Sequence, residues 1–221
     1  MENYNVYQDY ASVLFKEENA RGTRKLYELG YSPTGDSGDV SARDPRTGLI
    51  YVSGSPDWVT QKNLGDARGW ERSIVDIDGN HMVPWSKPTI EASTHLAIYR
   101  ARPEVGAIVH THGEWVSVFA MLGMDIPLVL AGQGEQGIIR CAGYGRAGSP
   151  ELNKYVVEAL GTTAKAALMR NHGAIAVADT LDHAFEVAAW LETVAEKAYY
   201  SILLASKRPV DVAAVVQDIA K

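Results

Sequence analysis

The sequence lacks the features that mark secreted, membrane-spanning and multidomain proteins. Cys141 is its single cysteine, so no intrachain disulfide can form. No apolar run approaches the roughly 20 residues that a membrane-spanning helix needs, and the N-terminal residues have neither the basic nor the apolar segment of a signal peptide. A linker rich in Pro, Gly or Ser, a charge run and an internal repeat are missing as well. We therefore expect a cytoplasmic protein with a single domain over residues 1–221.

Positive charge is also scarce in this chain. Its 21 Lys and Arg residues against 27 Asp and Glu give a formal net charge of −6. This balance argues against nucleic acid or an anionic membrane as a partner. A small polar substrate, even an anionic one, stays compatible with it because local positive charge can outweigh the net charge. With 46% hydrophobic residues, a chain of this length can bury a full core.

Two histidines stand at the end of an apolar run, AIVHTH at residues 107–112. In a strand, side chains at positions i and i+2 project from the same face, so His110 and His112 can reach one metal ion. Buried imidazoles need partners, and a metal ion supplies them. His172 beside Gly173, and Glu91 nineteen residues before His110, complete the inventory of a metal site with an open position.

Each of these residues has a plainer interpretation when it is considered alone. A single histidine is more often a hydrogen-bonded structural residue than a ligand, and Glu91 would be a helix N-terminal residue stabilised by the helix dipole. The spacing of Glu91 from the histidine pair favours the functional interpretation. His95, one helical turn after Glu91, is better explained as a structural histidine. His81 and His183 are expected at the surface.

Hydrophobic periodicity and turn residues predict alternating helices and strands. The predicted helices cover residues 5–30, 89–101 and 114–122, with two more that begin after residues 149 and 180. The predicted strands cover residues 38–43, 49–53, 71–76, 106–112, 137–141, 166–169 and 174–178. Several strands are close enough in sequence to form hairpins. This favours an α/β sandwich around a mixed, largely antiparallel sheet over a doubly wound parallel sheet.

An ordered set of motifs resembles the class II aldolase/adducin family, which includes fuculose-phosphate aldolase and ribulose-5-phosphate 4-epimerase. The motifs are SGDVSAR (37–43), VSG (52–54), KPTIE (87–91), THLAIY (94–99), RPEVGAIVHTH (102–112) and NHGAIA (171–176). The resemblance covers about residues 20–205. It implies a three-layer α/β/α sandwich and a homo-oligomer, usually a tetramer with active sites at subunit contacts.

The resemblance also implies a metal-dependent reaction. His110, His112 and His172 would be the ligands of one divalent ion per chain, with Zn²⁺ favoured and Mn²⁺, Co²⁺ or Fe²⁺ as alternatives. Glu91 would shuttle a proton and would ligate the metal when substrate is absent. The implied activity is that of a carbon–carbon lyase, which cleaves a small hydroxy-carbonyl or sugar-derived substrate by a retro-aldol reaction through a metal-stabilised enediolate.

Two glycine-bearing turns and a threonine are the expected substrate-binding residues. Glycines let the backbone approach a ligand closely, and N–H groups in such turns can cradle an anion. In sugar-phosphate aldolases the corresponding turns hold the phosphate. The expected residues are Gly38, Asp39, Ser53, Gly54 and Thr89.

The sequence departs from the sugar-phosphate pattern at several of its positions. Asp39 replaces the usual asparagine, Ile90 replaces a hydroxyl donor, and the catalytic tyrosines of the aldolases and the aspartate of the epimerase are not recognisable. We expect poor phosphate binding unless Asp39 is turned away or is neutralised by Arg43 or Lys87.

Three other functions stay open. A metal-dependent decarboxylase of a keto or aromatic acid is the first alternative, because it also needs a Lewis acid but can dispense with a second proton donor. A sugar-phosphate 4-epimerase is next, and a non-catalytic scaffold of the adducin type is last. A scaffold needs no open metal site, so the presence of Glu91 with all three histidines argues against it.

Overall fold

The computed structural model describes residues 10–55, 63–130 and 139–207, which form a seven-stranded sheet with helices on both faces. The helices are α1 (Tyr10–Glu28), α2 (Ala92–Ala101), α3 (Glu114–Leu122), α4 (Pro150–Leu160) and α5 (Leu181–Lys207). The strands are β1 (Asp39–Arg43), β2 (Ile50–Val52), β3 (Ser73–Val75), β4 (Ala107–Thr111), β5 (Arg140–Ala142), β6 (Ala166–Met169) and β7 (Gly173–Ala178). Two short 3₁₀ helices, Leu64–Asp66 and Gly69–Glu71, precede β3.

The strand order is β3-β2-β1-β4-β7-β6-β5. Every neighbouring pair is antiparallel except β5 and β6, which are parallel. In this register His110 of β4 lies between Asp39 of β1 and Ile175 of β7. The predicted mixed, largely antiparallel sheet is confirmed.

Alternation along the buried strands divides the apolar side chains between two cores. On β4, Val109 packs into a core with α1, α3 and α5, whereas Ile108 packs into a core with α2 and α4 on the opposite face. Both faces of the sheet are therefore covered by helices, and the predicted three-layer α/β/α sandwich is confirmed. Among the described helices, none combines the length and apolar character needed to cross a bilayer.

Most element boundaries follow from local chemistry. Helix α4 begins where predicted, since the Ser149 hydroxyl accepts the Leu152 N–H at 3.2 Å and Pro150 is the first helical residue. Helix α3 ends at Gly123, which adopts the left-handed conformation with φ 65°. Strand β6 has the predicted limits.

Other boundaries differ from the predictions. Helix α2 starts at Ala92 and not at residue 89, because residues 89–91 form a turn in which the Ala92 N–H donates to the Thr89 carbonyl at 3.1 Å. Glu71 belongs to a 3₁₀ helix, so β3 is shorter than predicted. His112 lies one residue beyond β4. Residues 5–9 of the predicted first helix, and 137–138 of a predicted strand, lie outside the described residues.

Candidate metal centre and substrate cleft

His110 is held at the end of β4 with one ring nitrogen facing the protein and the other facing a cleft. Its Nδ1 lies 3.0 Å from the carbonyl oxygen of Ala174, which can only accept a hydrogen bond. This contact assigns a proton to Nδ1 and directs Nε2 toward His112. The Nε2 atoms of His110 and His112 lie 3.0 Å apart. The backbone N–H of His112 donates to the Tyr31 carbonyl at 2.8 Å, which holds the residue after the strand has ended.

His172 reaches the same point from the tight turn between β6 and β7. The turn requires the left-handed conformation at Asn171, with φ 56°, and its His172 N–H donates to the Met169 carbonyl at 3.0 Å. A Cβ atom at Gly173 would collide with the carbonyl oxygen of Thr111, so only glycine lets β7 begin this close to β4. The ligand nitrogens of the three histidines lie within 4.8 Å of one another.

Glu91 closes this cluster from the turn before α2. Its side chain is 7% exposed, with Oε2 at 2.7 Å from Nε2 of His110. Oε1 lies 3.3 Å from Nε2 of His172, yet it accepts no hydrogen bond from the described residues. A buried carboxylate oxygen without a hydrogen-bond donor, beside three imidazole nitrogens, fits a bound divalent cation.

The surroundings of the three imidazoles favour the positively charged form of one and the neutral form of the other two. Burial disfavours the charged form of His110, but contact with Glu91 outweighs it and raises the pKa of His110 to about 9. Burial, then the charges of His110 and His172, lower the pKa of His112 to about 3. The pKa of His172 is also lowered, by burial and then by His110. Neutral imidazoles are the form that binds metal, and a cation would take over the charge that His110 carries here.

The cluster opens into a cleft between the turns that follow α1, β2 and β3. The cleft wall includes Glu91, His112 and His172, while His110 lies behind them. All five residues expected to bind substrate are on this wall: Gly38, Asp39, Ser53, Gly54 and Thr89. Gly38 is in the left-handed region with φ +83°, and a Cβ atom there would lie 2.8 Å from the His110 carbonyl oxygen. The turn therefore depends on glycine to lie against β4.

Asp39 has partners other than Arg43 and Lys87, the two cations considered as able to neutralise it. Its Oδ1 lies 3.0 Å from Nε2 of His95, and its Oδ2 accepts the Thr89 hydroxyl at 2.7 Å. Burial opposes ionisation of Asp39, but the effects of His95, His110 and Thr89 are larger and hold its pKa well below the usual range. Arg43 instead donates to the carbonyls of Pro103 and Val105. Asp39 is therefore an ionised group on the cleft wall.

His95 is buried and hydrogen-bonded, as predicted for a structural histidine, but its partners connect it to the cleft. Its Nδ1 lies 2.8 Å from the Ser41 hydroxyl, which lies 2.8 Å from the hydroxyl of Tyr99. The chain of contacts from Thr89 through Asp39 thus continues into the layer of α2. The four-residue spacing of Glu91 and His95 placed both on one helix face, but it did not identify Asp39 as the partner.

Several other residues of the site had no recognised sequence signal. Asn63 and Leu64 line the cleft from a segment distant in sequence. Glu192, in the middle of α5, accepts the N–H groups of Trp115 and Val116 at 3.0 and 3.2 Å, and so caps α3, the helix that follows β4. Such contacts depend on the packing of distant elements, and only the turn containing Ser37 could have been included from its glycine-rich composition.

Comparison with known proteins shows a match to the class II aldolase and adducin N-terminal domain over residues 17–199. The chain is 30% identical to a 5-deoxy-D-ribulose 1-phosphate aldolase of Bacillus thuringiensis serovar kurstaki over 187 residues, covering 83% of this chain and 84% of that protein. It is 32% identical to a 3-oxo-tetronate 4-phosphate decarboxylase of Haemophilus influenzae over 172 residues, covering 73% and 76%. A solved L-fuculose 1-phosphate aldolase shares the fold with a TM-score of 0.80 at 23% identity, covering 99% of this chain and all of that one.

Proposed function

This chain belongs to the class II aldolase and adducin family, and we propose that it is a lyase of the aldolase type. It would use one divalent metal ion to cleave a small hydroxy-carbonyl or sugar-derived substrate by a retro-aldol reaction. The observation that carries this proposal is the convergence of three imidazoles and one buried carboxylate at the wall of an open cleft. A surface or scaffolding role gives no reason to bring these four side chains together, two of them buried and two partly buried.

His110, His112 and His172 would hold the ion through their Nε2 atoms, which face one another and Glu91, with Glu91 as a further ligand when no substrate is bound. Zn²⁺ is the ion best suited to three imidazole ligands, while Mn²⁺, Co²⁺ and Fe²⁺ also bind such sets. When bound, the ion would act as a Lewis acid that stabilises negative charge on substrate oxygens.

Glu91 is the proposed proton carrier. Burial alone would raise the pKa of Glu91, but contact with His110 outweighs it and lowers the pKa, so the side chain is a carboxylate that can accept a proton. In a retro-aldol reaction the substrate hydroxyl loses a proton while the carbon–carbon bond breaks, and the carbon that receives the electron pair gains a proton. The Glu91 carboxylate can perform both transfers because it lies at the cleft wall beside the metal-binding nitrogens.

Decarboxylation of a keto or aromatic acid is the second candidate. Among the described residues, the cleft wall carries no tyrosine that could protonate a leaving fragment. Loss of carbon dioxide needs a single proton delivered to carbon, which the Glu91 carboxylate could relay from water without a second acid. The Haemophilus influenzae relative, a decarboxylase by name, also supports this candidate. An epimerase and a non-catalytic scaffold remain less supported.

We also propose a homo-oligomer, with a tetramer favoured. Exposed apolar side chains at the ends of α3 and α5 support a covered surface, since Met121, Leu122 and Leu204 are 69%, 64% and 62% exposed. A single domain over residues 1–221 is supported by the one sheet that all described layers share. The cytoplasm remains the predicted location.

A turnover screen of the metal-loaded protein tests the proposed function. The substrates are ketose phosphates, free hydroxy-ketones, and β-keto or aromatic acids. Release of an aldehyde would support the aldolase, and release of carbon dioxide without an aldehyde would support the decarboxylase. A purified protein that binds no stoichiometric metal and turns over none of these compounds would contradict both and favour a scaffold.

A further inference from the structure

The turn that carries Glu91 is fixed at both of its ends. At its start, the Thr89 N–H donates to the Ser53 carbonyl at 2.9 Å, and the Thr89 hydroxyl donates to Oδ2 of Asp39 at 2.7 Å. At its end, the Glu91 carbonyl accepts the N–H of His95, in the first turn of α2, at 3.2 Å. The backbone that presents the Glu91 carboxylate therefore depends on Thr89 at one end and on His95 at the other.

The side chains of His95 and Asp39 join these two ends. Nε2 of His95 lies 3.0 Å from Oδ1 of Asp39, and the two side chains are only 1% and 5% exposed. A carboxylate oxygen can only accept, so the imidazole carries a proton on Nε2 at this contact. Separating the pair would leave a buried charge without its partner, which is unfavourable. Thr89, Asp39 and His95 therefore close a ring of contacts around the turn.

The imidazole of His95 is held from its other side as well. Its Nδ1 lies 2.8 Å from the Ser41 hydroxyl, which lies 2.8 Å from the hydroxyl of Tyr99. With the proton on Nε2, a neutral imidazole accepts the Ser41 hydrogen at Nδ1, and Ser41 accepts the hydrogen of Tyr99. Each hydrogen in this series then has one acceptor. The ring cannot rotate without losing both contacts, so it holds Asp39, and with it Thr89, in one position.

The position of the Glu91 carboxylate depends on this backbone. Its Oε2 lies 2.7 Å from Nε2 of His110, but its Oε1 accepts no hydrogen bond from the described residues. The three histidines of the candidate metal centre belong to β4 and to the segments after β4 and β6, so a shift of the turn before α2 would move the carboxylate relative to them. Proton transfer requires the carboxylate within about 2.6–3.2 Å of the reacting group. A shift too small to disturb metal binding can therefore slow the reaction.

We propose that His95 is a positioning residue which, through Asp39 and Thr89, holds Glu91 where proton transfer requires it. The proposal rests on the proposed function in one respect, that Glu91 carries the proton. His95 itself lies behind the residues of the cleft wall. Its loss should therefore lower kcat far more than it changes KM or the metal content.

Two substitutions of His95 separate its two contacts. Glutamine can place an amide N–H near the position of Nε2 and keep a donor for Asp39, whereas asparagine reaches only the position of Nδ1 and keeps the contact with Ser41. We expect His95→Asn to lower kcat of the metal-loaded protein by about 10- to 100-fold, since a misplacement of about 1 Å can cost roughly 10²-fold. His95→Gln should restore most of this loss. Tyr99→Phe is the matched control, because it removes a buried hydroxyl of the same series and leaves the contact between His95 and Asp39 in place.

A double-mutant cycle tests whether His95 acts through Glu91. In a Glu91→Gln background, His95→Asn should lower the residual turnover no further, whereas a merely structural role would lower it by the same factor in both backgrounds. If His95→Asn does not fold, Ser41→Ala takes its place in the cycle, because it frees the ring and leaves both groups of the contact with Asp39 intact.

Crystal structures of the metal-loaded variants give a readout that needs no turnover. The Glu91 carboxylate should be displaced by about 1 Å in His95→Asn and should keep its place in His95→Gln. An unmoved carboxylate in His95→Asn, equal losses of kcat in the two variants, or losses of metal that match the losses of turnover would overturn the proposal. If the unmodified protein turned over no substrate, the proposed function would fail, and the displacement of Glu91 would still decide the role of His95.

Discussion

Replacement of Glu91 by glutamine should separate proton transfer from metal binding, because the two depend on different properties of one side chain. Its carboxylate lies 2.7 Å from Nε2 of His110 and 3.3 Å from Nε2 of His172. Glutamine fills the same space in the turn before α2 but cannot exchange a proton near neutral pH. We expect Glu91→Gln to fold, to keep most of its metal and to lose most of its turnover.

The contacts of Glu91 give the magnitudes. Loss of a general acid or base lowers turnover by about 10²–10⁴-fold, which corresponds to about 3–5 kcal/mol on the activation barrier. Without metal, the variant also loses a buried hydrogen bond to a charged partner, worth about 1.5–3 kcal/mol of stability. In the metal-loaded protein a cation replaces the charge on His110, so the stability loss should be smaller there. Turnover should therefore fall much more than either metal content or stability.

The assay is the turnover number of metal-loaded protein, with elemental analysis of the same sample. Glu151→Gln is a matched control, because Glu151 is an exposed glutamate in the first turn of α4. Turnover within a few-fold of the unmodified protein would show that Glu91 is only a residue of the helix start. Equal losses of metal and turnover would show that Glu91 acts mainly as a ligand.

Substitutions at the histidines, at Asp39 and at Glu192 test other parts of the site. Alanine at any one of the three proposed metal-binding histidines should remove most of the metal and nearly all turnover, whereas exposed His183→Ala should change neither; stoichiometric metal in the triple variant would refute the assignment. Asp39→Asn should make inorganic phosphate a stronger competitive inhibitor of substrate turnover. A carboxylate about 4 Å from a phosphate repels each unit of its charge by roughly 4 kcal/mol at an effective dielectric near 20. Pairing with His95 makes this an upper limit, and unchanged competition would contradict it. Burial raises the pKa of Glu192 above its ordinary value of 4.5, so the native state binds more protons there than the unfolded state and this contribution to stability falls as pH rises. In urea unfolding between about pH 4 and 7, the free energy of unfolding of Glu192→Gln should not show this decrease with pH. The same dependence on pH in the variant and the unmodified protein would contradict the role given to Glu192.

Features with a local cause were predicted from the sequence. The helix Glu114–Leu122 has the predicted limits because Gly123 can adopt the left-handed conformation that ends it. His110 and His112 were expected to share one face, and their Nε2 atoms lie 3.0 Å apart. A cap, a turn or a two-residue alternation depends on a few neighbouring residues, all visible in the sequence. The mixed sheet and the family followed from the order of these local features along the chain.

The partners of the site residues were decided by the tertiary structure. The sequence named Arg43 and Lys87 only as cations that could neutralise Asp39, whereas Asp39 pairs with His95, because β1 lies beside β4 under the helix that carries His95. Thr89 meets Asp39 across 50 residues of sequence, and Glu192 caps α3 across 76 or more.

The physical reason is the difference between local and long-range interactions. Sequence periodicity determines which face of a helix or strand is apolar, but strand order and register determine which polar side chains meet across elements. A buried charge then takes the partner that packing brings within hydrogen-bond distance. The sequence alone therefore predicted which histidines and which carboxylate meet at the candidate metal site, while only the folded arrangement determined the charges and hydrogen bonds that surround the cleft.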